Sequence, residues 1–207
     1  MTSRKAVLWR HLLTIGAFFL SIPAFSAPAP DQSAHLPSTA KHPPHKTVQE
    51  RLLQLEKALA LAGNEQKAQE LTNAAENLRI RGLTGATKLL LRDSQDALSK
   101  HDFQTAVDDI TSALTLQPDK AILRRDRAEI RLAAGDMDGA IADLGVELQS
   151  DPQDPIAWGV LAQAEQLRHE PDAALRAYQK VISLNPYTPQ AKENLKKFEK
   201  AKAGQED

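Results

Sequence analysis

A repeat of 34 residues in the second half of the chain constrains its fold more than any other feature. Positions one period apart carry the same or similar residues: Pro118, Pro152 and Pro186; Ala106, Ala140 and Ala174; and Ile110, Leu144 and Tyr178. Each period holds two stretches with apolar residues at helical spacing, separated by a short break, and this pattern indicates a helix-turn-helix unit. One such unit cannot bury its apolar face alone, so we expect consecutive units to stack.

The clearest unit spans residues 155–188. Trp158 and Leu161 lie on one face of its first helix, a break follows at 168–171, and Tyr178 lies on the apolar face of its second helix. These residues, at this period, resemble the tetratricopeptide repeat family, whose members stack helical hairpins into a right-handed superhelix. The resemblance implies an all-α array of hairpins with a surface that binds other proteins.

The repeats and their flanking segments predict seven parts of the chain. These are a secretory signal peptide (1–26), a Pro-rich disordered linker (27–46), a degenerate N-terminal helical hairpin (47–86), three repeats (87–120, 121–154 and 155–188) and a capping helix with a tail (189–207). Terminal units of a stacked array must turn one face to water. We therefore expect the N-terminal hairpin and the last helix, near 188–203, to cap the two ends of the array.

The first 26 residues have the pattern of a signal peptide. Basic residues open the segment, residues 12–22 are almost wholly apolar, and small side chains precede the predicted cleavage site after Ser26. The apolar stretch is shorter than the roughly 20 residues that span a bilayer, although an uncleaved anchor is the alternative interpretation. We expect a periplasmic or secreted protein with no membrane span in the mature chain.

Composition narrows the classes of function. The formal charge is −1, and removal of the leader leaves 23 basic against 27 acidic residues, a charge of −4 that does not favour nucleic acid as a partner. The chain has no cysteine and no motif for phosphate binding or for nucleophilic or zinc-dependent catalysis. The histidines of the linker have no cysteine with them, and we expect no carboxylate to complete a metal site there. We expect no enzyme, no cofactor and no metal.

Several recurring residues have a structural interpretation. His101, Gly135 and His169 recur at helix ends where a left-handed conformation is wanted, which glycine and, less readily, histidine can adopt. Other residues are expected to hold the packing of the hairpins and their connections: Ala106, Pro118, Arg127, Ala140, Asp143, Pro152, Trp158, Ala174, Tyr178 and Pro186. Within this set, Arg127 is predicted to form a partly buried, bidentate ion pair with Asp143, or with Asp109 one repeat earlier.

The resemblance also implies where a ligand would bind. In the family, the first helix of each hairpin lines the concave surface, and the corresponding positions here are Lys88, Arg92, Gln95, Arg125, Glu129, Gly159 and Gln163. We expect this groove to bind a protein or peptide segment. The alternative is a structural assembly factor or a self-associating component of the cell envelope. The chain from Val48 to Gly204 also resembles secreted tetratricopeptide proteins of alphaproteobacteria that have no established role.

Overall fold

The computed structural model describes residues 46–204, and in this range the chain forms nine helices and no strand. The helices are α1 (Val48–Ala60), α2 (Glu65–Arg81), α3 (Gly85–Ser99), α4 (Phe103–Leu116), α5 (Ala121–Ala133), α6 (Met137–Ser150), α7 (Pro155–Leu167), α8 (Pro171–Leu184) and α9 (Ala191–Ala203). The all-α prediction is confirmed for this part of the chain. The predicted signal peptide and all of the linker except Lys46 lie outside the described residues.

Short polar side chains start most of the helices. In α1, Thr47 accepts a hydrogen bond from the backbone N–H of Glu50, whose carboxylate accepts one from the N–H of Thr47 in return. Asp102 and Asp136 accept from the N–H groups three residues later at the starts of α4 and α6. These caps pair backbone donors that have no partner within the helix, so the sequence itself determines where the helices begin.

The turns within the three repeats have the predicted conformation. His101, Gly135 and His169 have φ angles of 60°, 83° and 62°, in the left-handed region. The residue after each donates its N–H to a carbonyl in the last turn of the preceding helix, as in Asp136 N–H to Arg131 O at 2.8 Å. This arrangement gives hydrogen-bond partners to carbonyl groups that have none within the helix, and it turns the chain so that the second helix can pack on the first.

Helices α3 to α9 form one stack, called the array below, in which each helix packs against the next. Ala106, Ala140 and Ala174 are fully buried where the two helices of each hairpin meet. Apolar side chains from three successive helices form each core cluster, and at the end of the stack Phe198 of α9 packs on Tyr178 with ring centroids 4.8 Å apart. The array is therefore held together by repeated apolar contacts.

The turns between repeats begin at equivalent prolines. In the turn that begins at Pro152, Trp158 donates its indole N–H to the carbonyl of Pro152 at 3.0 Å. The last helix begins later than the predicted residue 188. Gln190, with a φ of 55°, is the residue before Ala191 and breaks the helical backbone there.

Arginines join the two helices of the second repeat. Arg127 donates two hydrogen bonds to Asp143, at 2.8 and 2.6 Å, and Arg131 donates a third to the same carboxylate at 2.7 Å. Arg131 also donates to the carbonyl of Gly139. The ion-pair partner of Arg127 is thus Asp143 of its own repeat, and Arg127 also donates a longer hydrogen bond, of 3.3 Å, to the hydroxyl of Thr111 in the preceding repeat.

The N-terminal hairpin, formed by α1 and α2, does not cap the array. Its two helices pack on each other through apolar clusters of their own, which contain Leu52, Leu59 and Leu71. Packing of α2 against α3 is slight, and α1 instead contacts α8 near the other end of the chain. The prediction of a stacked N-terminal cap is wrong, because polar residues of α2 bind the array at α5 and at the turn between α6 and α7.

Among residues 46–204, no helix is long and apolar enough to cross a membrane.

Candidate functional site

The seven groove candidates lie on α3, α5 and α7, and the face that carries them is called the groove face below. On α3, the side chains of Lys88, Arg92 and Gln95 are exposed. Arg92 contacts the neighbouring Asp93 at 3.1 Å, a surface pair that contributes little stability. This part of the groove face is accessible to a ligand.

Arg125, on α5, differs from the sequence-based expectation. Its side chain is 5% exposed, and it donates hydrogen bonds to Glu76 of α2 and to Asp154, both at 2.6 Å. Arg125 therefore does not offer positive charge to an external ligand. The sequence-based prediction fails because α2 lies against this part of the groove face and supplies the carboxylate that Arg125 binds.

The candidates of α7 line a cavity of about 410 Å³ bounded by α2, α7, α8 and α9. Gly159 and Gln163 form part of the α7 wall, together with Val160. Gln69 on α2 and Phe198 on α9 lie among the other lining residues. The structure thus brings two of the seven candidates together, and it adds a wall from α2 that the repeat pattern alone does not predict.

Tyr178 gives this cavity an open hydrogen-bonding group. The residue lines the cavity and is 5% exposed, yet its hydroxyl has no hydrogen-bond partner among the described residues. A buried hydroxyl without a partner lowers stability unless another group binds it. A ligand in the cavity can supply that partner, and the side-chain amides of Gln163 and Asn194 line the same space.

A second cavity, of about 560 Å³, continues along the groove face. Glu129 and Leu132 of α5, Gln163 of α7 and Lys197 of α9 line it, so Gln163 is shared by both cavities. The Glu129 side chain is exposed, but desolvation by the surrounding protein, with the charges of Asp154 and Glu76, raises the pKa of its carboxyl despite Arg125. This part of the groove face carries both signs of charge beside apolar surface.

A buried charge network lies between the N-terminal hairpin and the array. Its members are Glu56, Glu76, Arg79, Arg125, Glu147, Asp151 and Asp154. Arg79 is its centre and donates hydrogen bonds to Glu56 at 2.7 Å, Glu76 at 2.6 Å and Asp151 at 2.8 Å. Burial alone would lower the pKa of Arg79, but the charges of Asp154 and Asp151 raise it above its ordinary value. Arg79 therefore stays charged and links α1, α2 and the turn between α6 and α7.

The network contains more carboxylates than guanidinium groups, and this excess perturbs the acids. Burial, followed by the charge of Asp151, raises the pKa of Glu56 to about 8. Burial and the charges of Asp154 and Asp151 raise the pKa of Glu147 to about 9. Beside Arg125, burial also raises the pKa of Asp126 to about 7. Burial and neighbouring negative charge thus make these acids resist ionisation, even where an arginine lies beside them.

The burial of several of these carboxylates was not predicted from the sequence. Glu56, Glu147, Asp151 and Asp154 are all at most 5% exposed. Helical periodicity places Glu56 between Leu52 and Leu59 on the inner side of α1, and this signal in the sequence could have indicated its burial. The 34-residue period likewise places Glu147 at the position of the buried Ala113 and Val181. Asp151 and Asp154 lie in a turn and gave no such signal.

Comparison with known proteins agrees with the repeat pattern. The model of the tetratricopeptide repeat family matches residues 95–164. No curated protein matches the sequence. The Sgt2 tetratricopeptide domain from Aspergillus fumigatus superposes with a TM-score of 0.54 at 25% identity, over 56% of this chain and 79% of that one.

Two further structures share the fold at lower identity. The first tetratricopeptide domain of Spaghetti (RPAP3), bound to an HSP90 peptide, has a TM-score of 0.54 at 19% identity, over 57% of this chain and 94% of that one. MamA (41–end) from Desulfovibrio magneticus RS-1 has a TM-score of 0.53 at 16% identity, over 76% of this chain and 87% of that one. The family match over residues 95–164, the stacked hairpins and their repeated turns show that this part of the chain folds as a tetratricopeptide repeat array.

Proposed function

We propose that this chain is an exported, non-catalytic scaffold that binds a segment of another protein on its groove face. The observation that carries the proposal is the 410 Å³ cavity beside Gly159 and Gln163, where the buried Tyr178 hydroxyl has no partner. Its volume falls within the range of ligand-binding pockets, which combine an apolar lining with a few polar groups that fix orientation. The predicted signal peptide supports export to the periplasm or beyond.

The chemistry of the cavity favours a peptide segment as the ligand. Side-chain amides such as Gln163 and Asn194 can donate to and accept from a peptide backbone, and Val160 and Phe198 offer apolar contact to one inserted side chain. The related Spaghetti domain is bound to an HSP90 peptide, which supports peptide binding as a use of this fold. Exposed Lys88 and Arg92 would add a preference for acidic ligands, with an affinity that falls as salt rises.

Two glycines provide a matched test of the groove. A Cβ at Gly159 would have only Val181 near it, at 4.0 Å, so Gly159→Leu places a larger side chain at the cavity without disturbing the helix backbone. Gly145, on the exposed side of α6, has nothing within 4 Å of such a Cβ, and Gly145→Leu makes the same change away from the groove. Both variants should show the circular dichroism of the wild type.

The experiment is capture of partners from the periplasmic fraction of the source cells, with quantification by mass spectrometry. We expect Gly159→Leu to lose the partners that the wild type enriches, by about tenfold or more for the loss of a well-packed contact. Gly145→Leu should keep them. If both variants keep every partner, the ligand does not bind at this cavity and the proposed site is wrong.

Sedimentation of the same proteins tests the alternative function. A self-associating component of the envelope would form larger species as concentration rises, whereas the proposed scaffold stays monomeric without its ligand. A wild type that assembles by itself, with Gly145→Leu impaired and Gly159→Leu unimpaired, would favour the alternative.

A further inference from the structure

Three carboxylates converge where α6 ends and α7 begins. Glu147 lies in the last turn of α6, Asp151 follows the helix and donates its N–H to the carbonyl of Glu147, and Asp154 caps the start of α7. One oxygen from each side chain lies within 4.8 Å of the others. Two ligand atoms on one cation with bonds of about 2.4 Å cannot be more than about 4.8 Å apart, so the spacing fits a single ion.

The three side chains are removed from water, and one of them has an atom left unsatisfied. Glu147, Asp151 and Asp154 are 1%, 5% and 0% exposed. The Oε2 atom of Glu147 is buried and has no hydrogen-bond partner among residues 46–204. An acceptor in this position loses its hydration and gains nothing in exchange unless a cation or a proton binds it.

The arginines satisfy these carboxylates only in part. Arg79 donates to Oδ2 of Asp151. Asp154 accepts from Arg125 at Oδ2 and from the N–H of Ile156 at Oδ1, whereas Glu147 has no arginine donor in the described part of the chain. The buried charge network has five carboxylates and two guanidinium groups, which leaves three negative charges without a partner when all are ionised. Buried charge of this kind must be neutralised, and a divalent cation would remove most of the excess at once.

We propose that Glu147, Asp151 and Asp154 bind a hard divalent cation, with Ca²⁺ as the best fit. All three ligands are carboxylate oxygens, which suit Ca²⁺, Mg²⁺ and Mn²⁺ better than they suit the softer metals. Ca²⁺ accepts the irregular oxygen shells that such a turn can offer, while Mg²⁺ demands a near-ideal octahedron. Asp151 also lines a cavity of about 380 Å³ between hairpin and array, which gives the ion an approach to the site.

The position of the site gives the cation a structural consequence. Asp151 and Asp154 are also the array residues nearest Arg79 of α2, at 2.8 and 3.6 Å. A bound cation would hold the two carboxylates in place and reduce their repulsion with Glu56 of α1. It would thereby stabilise the folded state by preferential binding and strengthen the attachment of the hairpin. This inference does not depend on the ligand of the groove face.

Titration of the chelator-treated wild-type chain tests the site. CaCl₂ is added in a calorimeter and in a thermal unfolding experiment, with MgCl₂ and MnCl₂ in parallel. We expect one Ca²⁺ per chain and a rise in Tm that saturates with binding. Bound Mn²⁺, counted by electron paramagnetic resonance on the wild type, should be displaced by Ca²⁺ at the same stoichiometry. Absence of binding and of any Tm rise with all three ions at millimolar concentration overturns the proposal.

A matched pair of variants locates the ion. Glu147→Gln keeps the size of the side chain and removes one ligand charge, and Glu199→Gln removes one charge from the exposed face of α9. We expect Glu147→Gln to weaken Ca²⁺ binding at least tenfold and Glu199→Gln to leave it unchanged. If Glu147→Gln binds Ca²⁺ as well as the wild type, the ion lies elsewhere. If neither protein binds an ion and Glu147→Gln is more stable than the ion-free wild type, a proton neutralises the three carboxylates and the proposed cation site is wrong.

Discussion

In the array, helices α3 to α9 are joined by clusters of apolar side chains that repeat from one hairpin to the next, with fully buried alanines at the closest approaches. The N-terminal hairpin has apolar clusters too, but these contain only its own residues. Its attachment to the array depends largely on buried ionic contacts centred on Arg79 and Arg125. The chain thus uses apolar packing within its parts, whereas between them buried charge is added to an apolar contact of Ile80 with the first array cluster.

Apolar contacts and buried ion pairs differ in how well they tolerate substitution. Apolar burial adds stability roughly in proportion to area and accepts many similar residues. A buried ion pair adds little net stability, because desolvation offsets its attraction, but the loss of one partner is costly. The hairpin should therefore be attached more specifically than the repeats, and it should be the first part to separate when a single charged residue is changed.

The largest expected effect is the loss of Arg79. Arg79→Leu leaves Glu56, Glu76 and Asp151 without their shared donor, at a cost of about 3–5 kcal/mol. We expect α1 and α2 to lose protection from hydrogen exchange while α4 to α8 keep theirs. The exposed Arg81→Leu, two residues away, is the control and should change little. Equal loss of protection in hairpin and array would show that the two regions do not separate.

Overpacking the array should destabilise the repeats and not the N-terminal hairpin. Ala140 is fully buried between α5 and α6, so Ala140→Trp should destabilise the array by about 3 kcal/mol. Chemical denaturation measures the loss, and hydrogen exchange should place it in α5 to α7. Ala142→Trp on the exposed side of α6 is the matched control and should be near neutral. If Ala140→Trp is as stable as its control, tight packing does not define the array.

A smaller effect is expected within the second repeat, where the array also uses charge. A double-mutant cycle with Arg127→Ala and Asp143→Ala should give a coupling energy of about 0.5–3 kcal/mol, because the pair is bidentate and only 14% and 4% exposed. In Arg127→Ala, Arg131 still donates one hydrogen bond to Asp143, and this lowers the cost of that substitution. A cycle without coupling would mean that this contact is incidental.

The smallest expected effect is at the turns. His101→Gly and His169→Gly should each change the free energy of unfolding by no more than about 1 kcal/mol, since glycine relieves the left-handed backbone but loosens the unfolded chain. Gly135 already occupies the equivalent position in the second repeat. Partner capture should be unchanged. A loss of binding at constant stability would assign these histidines a role beyond the turn.

The sequence by itself determined the parts of the structure that local chemistry controls. The period of prolines and alanines indicated stacked hairpins, and helices α3 to α9 form such a stack. The left-handed residues at 101, 135 and 169 followed from their positions at helix ends. These features depend on contacts within one repeat or between neighbours, which the period places at a fixed separation.

Only the tertiary structure decided how the hairpin meets the array. Glu76 lies 49 residues from Arg125, and Arg79 lies 72 residues from Asp151, so no helical period relates these partners. Charged residues read from sequence are expected at the surface, and whether a carboxylate is buried depends on which element covers it. Arg125 was therefore predicted to line the groove, and nothing in the sequence indicated that Asp151 and Asp154 are buried, because the hairpin that binds beside them is distant in sequence.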